Sequence, residues 1–532
     1  MRSLTRCFVL VLFLALSSFA HAQSAEAADK SVGSAPAGAA KNGASREEVE
    51  QLRSEVAEQR RTIEELKAVV QRLADANPKA ADAAHLVNAT LVQPAISAEP
   101  AEAAQAAKPS DKSSDKKPEK KEGGVPVVAG WNGEHFFVKS ADGKFQIQPY
   151  GYVQSDYRAY QGDGAPSDTF LIRRARFGFQ GNYGTHYDYA ILIDAAATNG
   201  ISLRDLYINV KPVTAFQVQV GQFKEPFAQE LVQGVTNIDF VERSLASLLY
   251  PSAATAYRSP GISIHGDLFG GGVQYWAAAF NGKGILTNNT TNEPEVIGRL
   301  RFYPWKKKKD GLFQGLAFGG AIGHGRSRGL SNETSFGAAL PDGAYTFFPS
   351  FRINGPVERY NGEFTWTHGP WGLRGEYDQL NQFRRGVGSE QSGGLGFVDL
   401  PGIVSKAGYL QATYLLTGEA RPENGTPKLK HSFLGPEVAR AGRGWGAWEL
   451  AFRYDKIQAK EQGVNLLNSF TPGFVPTFND HTDQFTAGVN WYLNYWVKYQ
   501  ANFSVDRLKA PSVTGQEPQN FFVLLNRLQF RF

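Results

Sequence analysis

Arg527-Leu528-Gln529-Phe530-Arg531-Phe532 ends the chain. Apolar and polar residues alternate strictly, so an extended backbone sets Leu528, Phe530 and Phe532 on one face and Arg527, Gln529 and Arg531 on the other. One face tolerates hydrocarbon and the other wants water. A last strand with a terminal aromatic is what the assembly machinery of bacterial outer-membrane barrels reads. Phe532 therefore makes that machinery an expected partner.

The same alternation recurs upstream. Gly151, Val153, Tyr157 and Ala159 share one face, and Gln148, Gln154, Asp156 and Arg158 share the other. Ala175, Phe177 and Phe179 oppose Arg174, Arg176 and Gln180. Leu300 and Phe302 oppose Arg299 and Arg301, and Trp448, Leu450, Phe452 and Tyr454 oppose Glu449, Arg453 and Asp455. Strands of about ten residues with an apolar aromatic face and a polar face are the signature of a transmembrane barrel. Such a sheet must close, because unpaired backbone groups at an open edge would face lipid. About 400 residues at roughly 25 per strand and connection predict an all-β, antiparallel transmembrane barrel of about sixteen strands around a water-filled lumen.

Ahead of the barrel the composition changes three times. Arg2 and Arg6, the apolar run Phe8 to Ala20 and the small residues of Ala20-His21-Ala22 read as an export signal over residues 1–22. A flexible segment is expected over 23–45. Over 46–74 a heptad places Val49, Val56, Ile63 and Val70 at one seam position and Leu52, Gln59, Leu66 and Leu73 at the other, predicting a short α-helical coiled coil, dimeric or trimeric. Residues 75–129, rich in Ala, Pro, Lys and Glu, read as a disordered linker. The barrel is expected over 130–532, with the coiled coil in the periplasm of a Gram-negative cell. There it could assemble trimers or tether the membrane.

Composition narrows the chemistry. Cys7, the only cysteine, lies in the signal, which leaves no disulfide and no thiol nucleophile. From Gly130 onward there are 39 basic and 34 acidic residues, too weak a bias to suggest nucleic acid as a partner. The histidines lack metal-ligand spacing, and neither a phosphate-cradling glycine loop nor a Gly-x-Ser-x-Gly elbow is present, so no cofactor, metal or enzymatic activity is expected. Gly162-Asp163-Gly164 with Asp168 has only loose calcium-loop spacing, and Lys306 to Lys309 reads as a solvated turn.

Five segments carry a family resemblance: Arg173-Arg174-Ala175-Arg176-Phe177-Gly178, Gly221-Gln222-Phe223-Lys224-Glu225-Pro226-Phe227, Tyr414-Leu415-Leu416-Thr417-Gly418-Glu419, Gly446 to Tyr454, and Gly488 to Asn494. In this order they resemble the phosphate-selective porin O and P family, from about Phe145 to Phe532. The resemblance implies a homotrimeric, sixteen-stranded porin embedded in outer-membrane lipid, with an inward-folded third loop and basic residues along an anion path.

Transport needs a polar lumen, a constriction and charge where an ion sheds water. The long segment Phe223 to Pro260 is the expected constriction loop. It carries Lys224, Arg243 and Arg258, but also Glu225, Glu230, Asp239 and Glu242. Strand parity points Arg158, Arg174, Arg176, Arg299, Arg301, Arg359, Arg374 and Arg453 into the lumen. Guanidinium groups suit phosphate because each presents a planar fork of donors. Acidic residues share that face, namely Asp156, Asp188, Asp194, Asp205, Glu363, Glu376, Asp378, Glu449 and Asp455, so some arginines are expected only to order the wall. Where phosphate-specific members of the family resembled carry lysine and serine in the loop, this chain has Glu230-Leu231-Val232-Gln233-Gly234-Val235. The expected function is an anion-leaning porin for phosphate, polyphosphate or small organic anions. A general diffusion porin is the alternative.

Overall fold

A computed structural model describes residues 126–532 apart from 198–199, 250–256, 309–310, 328–352, 389–397, 435–443, 463–478 and 510–517. The signal, flexible segment, coiled coil and most of the linker lie outside the described residues. The first strand begins at Val127, inside the last residues read as linker.

Among the described residues, eighteen strands run in one sheet. β1 (Val127–Trp131) and β2 (Phe136–Ser140) form a hairpin, and β2 joins the start of β3 through Val138↔Ile147. The next sixteen are β3 (Phe145–Gln161), β4 (Thr169–Tyr183), β5 (Tyr187–Asp194), β6 (Ser202–Val213), β7 (Phe216–Lys224), β8 (Arg258–Leu268), β9 (Val273–Phe280), β10 (Glu295–Phe302), β11 (Ala317–Ser327), β12 (Gly355–His368), β13 (Trp371–Gly388), β14 (Val398–Leu415), β15 (Ala447–Gln462), β16 (Asn479–Tyr492), β17 (Val497–Leu508) and β18 (Gln519–Arg531). Each pairs antiparallel with the next, and β18 pairs with β3, closing a sixteen-stranded barrel. Phe532 completes the seam, its amide and carbonyl each bonding Gly151 at 3.0 Å.

The alternation settles which face meets lipid. Phe177, Leu300, Phe452, Phe485, Leu528 and Phe530 are exposed on the outside, while Arg174, Arg299, Arg453, Gln484, Arg527 and Gln529 are buried inside. Among the described residues no helix is long and apolar enough to cross a membrane. The strands supply the spanning surface. Both ends of the barrel chain lie at one rim, which also carries the tight turns β4–β5, β6–β7 and β12–β13 and two longer connections, 303–316 and 416–446.

One motif glycine shows why its position tolerates no side chain. Gly221 has φ +133°, and a Cβ there would stand 2.2 Å from the Leu206 carbonyl oxygen across the β6–β7 ladder. Such backbone costs a non-glycine residue about 1–3 kcal/mol before any clash. Gly221→Ala is expected to lower the urea midpoint for unfolding in micelles. A midpoint equal to the parent's would remove the steric argument.

Candidate functional site

After Lys224 the chain leaves β7 and turns into the barrel. Its described part, 225–249 and Tyr257, is held by apolar contacts and by amide hydrogen bonds. Phe227 and Leu231 pack with Phe223, Phe280 and Ile297. Val241, Leu245, Leu248 and Leu249 cover inward-facing Leu380, Ile403, Ile457, Leu508, Phe521 and Leu525. The inner wall is therefore not uniformly wet, as alternation alone implies, because the loop brings its own oil to the apolar part. Burying one such leucine contributes about 1.5–3 kcal/mol, which is what offsets the entropy of fixing so long a loop.

Wall carboxylates receive the loop's amides. Gln229 and Glu230, which open the one-turn helix α1 (Gln229–Val232), donate their N–H groups to Glu363 at 2.8 Å and Glu376 at 2.7 Å. Leu245 N–H donates to Asp455 at 3.1 Å, and Val241 N–H to the Asn502 side-chain oxygen at 2.6 Å. Part of the lumen's acidity is thus spent on positioning the loop.

The densest charge cluster forms around Glu242. Its carboxylate accepts from Arg158 at 2.5 Å, Arg173 at 2.9 Å and Arg527 at 3.2 Å, with Arg174 at 3.8 Å. Asp156 pairs with Arg158 at 2.9 Å and with both ends of the Arg527 fork at 2.7 Å. Four guanidinium groups face two carboxylates, an excess of two positive charges where loop meets wall.

Among the described residues, a second group of cations hydrogen-bonds only to neutral oxygens. Lys224 donates to the carbonyls of Val232 and Gln233, at 3.2 and 2.6 Å, and Arg243 to those of Glu230 and Gln233, both at 3.1 Å. Arg374 donates to the Gln233 side-chain oxygen at 2.5 Å and to the Glu423 carbonyl. Lys498 donates to the carbonyls of Thr236 and Ile238, at 2.9 and 3.2 Å. Gln233 thus sits among three cations.

The remaining candidates each hold a carboxylate. Arg176 pairs with Asp194 at 2.6 Å, Arg258 with Asp205 in a two-bond fork at 2.8 Å, Arg299 with Glu363 at 2.5 Å, and Arg453 with Asp455 at 2.6 Å. Arg301 meets Glu363 at 3.5 Å and Glu423 at 2.5 Å, and Arg359 lies between Glu225 and Glu295. Two placements differ from the sequence reading. Lys224 and Arg258 are not loop residues but the last register pair of β7 and β8, because the ladder runs on to them. In the calcium-like segment, the Asp168 carboxylate accepts from Tyr160 N–H at 3.0 Å and Tyr157 hydroxyl at 3.4 Å.

The pore residues read from the sequence leave out several buried cations, among them Arg204 beside Asp194 at 3.4 Å. Arg173 reaches Glu242 because the β3–β4 register shifts between Gln154 and Ser155, a bulge that breaks parity. Arg527 and Lys498 were legible, since their neighbours on both sides face lipid. Arg421 was not legible. It lies on the β14–β15 connection, which enters the lumen so that Arg421 is buried against Asp239 and Glu449.

A family model described as phosphate-selective porin O and P matches residues 147–532. Porin O of Pseudomonas aeruginosa is 24% identical over 421 residues, covering 74% of this chain and 90% of that protein. An uncharacterized protein of Caulobacter vibrioides is 25% identical over 440 residues, covering 79% of each. Among solved structures, a loop-deletion mutant of the outer-membrane protein OmpT of Vibrio cholerae aligns with a TM-score of 0.45 at 10% identity, covering 73% of this chain and all of that one.

Proposed function

We propose a function from one premise, that this chain belongs to the phosphate-selective porin O and P family: it is an outer-membrane channel that passes small solutes and favours anions such as phosphate, polyphosphate or small organic acids. It is a passive pore and not an enzyme, and it works as a homotrimer in outer-membrane lipid. The rim bearing both barrel ends faces the periplasm, where the coiled coil of residues 46–74 hangs after removal of the signal. Insertion proceeds through the barrel-assembly machinery and the strand ending at Phe532.

The observation that carries this reading is the local excess of cations where loop and wall meet. An anion near Glu242 faces four guanidinium groups and two carboxylates. Beside it, Lys224, Arg243 and Arg374 offer donors now occupied by carbonyl and amide oxygens, which an anion can replace. Arg158, Arg174, Arg243 and Arg374 line this path. Arg176, Arg258, Arg299, Arg301, Arg359 and Arg453, each beside a carboxylate, shape its field.

Reversal potentials under a potassium chloride gradient test the reading. At an effective dielectric constant near 20, one lumen charge is worth on the order of 1 kcal/mol to a passing ion, about fivefold in relative permeability. Glu242→Gln is expected to raise the chloride-to-potassium ratio and Arg174→Gln to lower it. Millimolar phosphate is expected to block chloride current saturably. A cation-preferring parent channel would sink the proposal.

A general diffusion porin is the second reading, and the neutralised pairs Arg176–Asp194 and Arg258–Asp205 favour it. Chloride current that ignores phosphate and tracks salt concentration would make it the better description.

A further inference from the structure

The outer surface carries a basic patch that transport does not use. Across β13 to β17, register aligns outward Tyr377, Gly408, Lys456, Asp483 and Arg507 in one row. One step toward the rim opposite the chain ends, Lys406 occupies the next row, and Lys509 donates its N–H to the His481 carbonyl in that row. One step toward mid-barrel lie Leu410, Tyr454, Phe485 and Val505, an apolar aromatic band.

Lys406, Lys456, Arg507 and Lys509 are exposed. The Asp483 carboxylate is taken by the Tyr454 hydroxyl at 3.2 Å and by Lys509. Arg507 lies over the Phe485 ring at 5.2 Å, and among the described residues no carboxylate pairs with Lys406, Lys456 or Arg507. On β4, β8 and β10, Phe170, Ile172, Ile262 and Val296 are exposed, and the exposed cation Arg326 of the neighbouring β11 is paired with Glu293 at 3.5 Å. Cations facing lipid are costly at mid-bilayer and tolerated at the headgroup boundary, where aromatic girdles also sit. Three unpaired cations just beyond such a band need counter-ions, and anionic headgroups are the ones at that depth.

We propose that Lys406, Lys456 and Arg507 hold the phosphate groups of phosphorylated glycolipid headgroups in the outer leaflet. This rests on the orientation given under Proposed function. Each cation near a charged headgroup layer is worth about fivefold in binding, roughly a hundredfold for three.

The test is native mass spectrometry of the purified full-chain porin titrated with bisphosphorylated lipid A and with lipid A freed of its phosphates. The parent is expected to retain the phosphorylated form preferentially. The Lys406→Gln, Lys456→Gln, Arg507→Gln variant is expected to bind it about a hundredfold more weakly with unchanged single-channel conductance, which also certifies folding. Equal retention by parent and variant, or equal binding of phosphate-free lipid A, overturns the proposal. Orientation is read separately by labelling intact cells with an impermeant maleimide: Asp163→Cys is expected to react and Lys307→Cys not to. The reverse pattern overturns the orientation and the lipid proposal together, whereas the expected pattern with no lipid preference overturns the lipid proposal alone.

Discussion

Arg527→Ala is expected to destabilise the folded barrel by about 3–5 kcal/mol, the usual result of removing one partner from a buried ion pair. Arg527 and Asp156 are register partners across the seam where β18 closes on β3. The guanidinium forks onto both Asp156 oxygens at 2.7 Å, meets Glu242 at 3.2 Å and donates to the Val241 carbonyl. One side chain thus links β3, β18 and the inward-folded loop, and the side chains of Arg527 and Asp156 are fully buried. Its loss leaves Asp156 with Arg158 alone. Urea titration in micelles, followed by tryptophan fluorescence, is the check. Arg527→Lys should recover only part of the loss, because an ammonium cannot form the two-bond fork. Parent-like stability in the alanine variant would mean the seam is held by backbone pairing and packing alone.

Leu245→Asp is expected to release the inward-folded loop and raise single-channel conductance several-fold. Leu245 is fully buried in the cluster with Leu380, Ile457 and Leu525, and its N–H is bound to Asp455. Substitution forfeits about 1.5–3 kcal/mol of apolar burial. It also brings a second carboxylate beside Asp455 in a dry site, a penalty of several kcal/mol for an uncompensated buried charge. The sixteen backbone ladders do not depend on this contact, so the barrel should still assemble. Leu245→Ala, which leaves a cavity but no charge, should change conductance much less. If the Asp variant conducts like the parent, the loop is anchored by its amide bonds to Glu363, Glu376 and Asn502, and the apolar contacts are incidental.

Most of the barrel was legible because alternation is a local property of the chain. Phe177 between Arg176 and Gly178, or Phe530 between Gln529 and Arg531, declares its face from sequence neighbours alone. The length of the segment after Lys224 likewise marked a loop beyond any hairpin, and the structure folds it inward. Charge partners were less legible. Parity placed Arg158, Arg174 and Glu449 inside, but nothing local pairs Arg158 with Glu242, 84 residues away.

The sequence by itself determined the strands, their lipid and lumen faces, and the need for closure, because a bilayer leaves extended backbone with period-two polarity no other way to satisfy its hydrogen bonds. Only the tertiary structure decided which cations remain uncompensated. The bulge that turns Arg173 inward, the connection that carries Arg421 to Asp239, and the loop fold that sets Glu242 among four arginines bring together residues far apart in the chain. Such contacts depend on barrel closure and loop docking, and leave no periodic mark in the residues that make them.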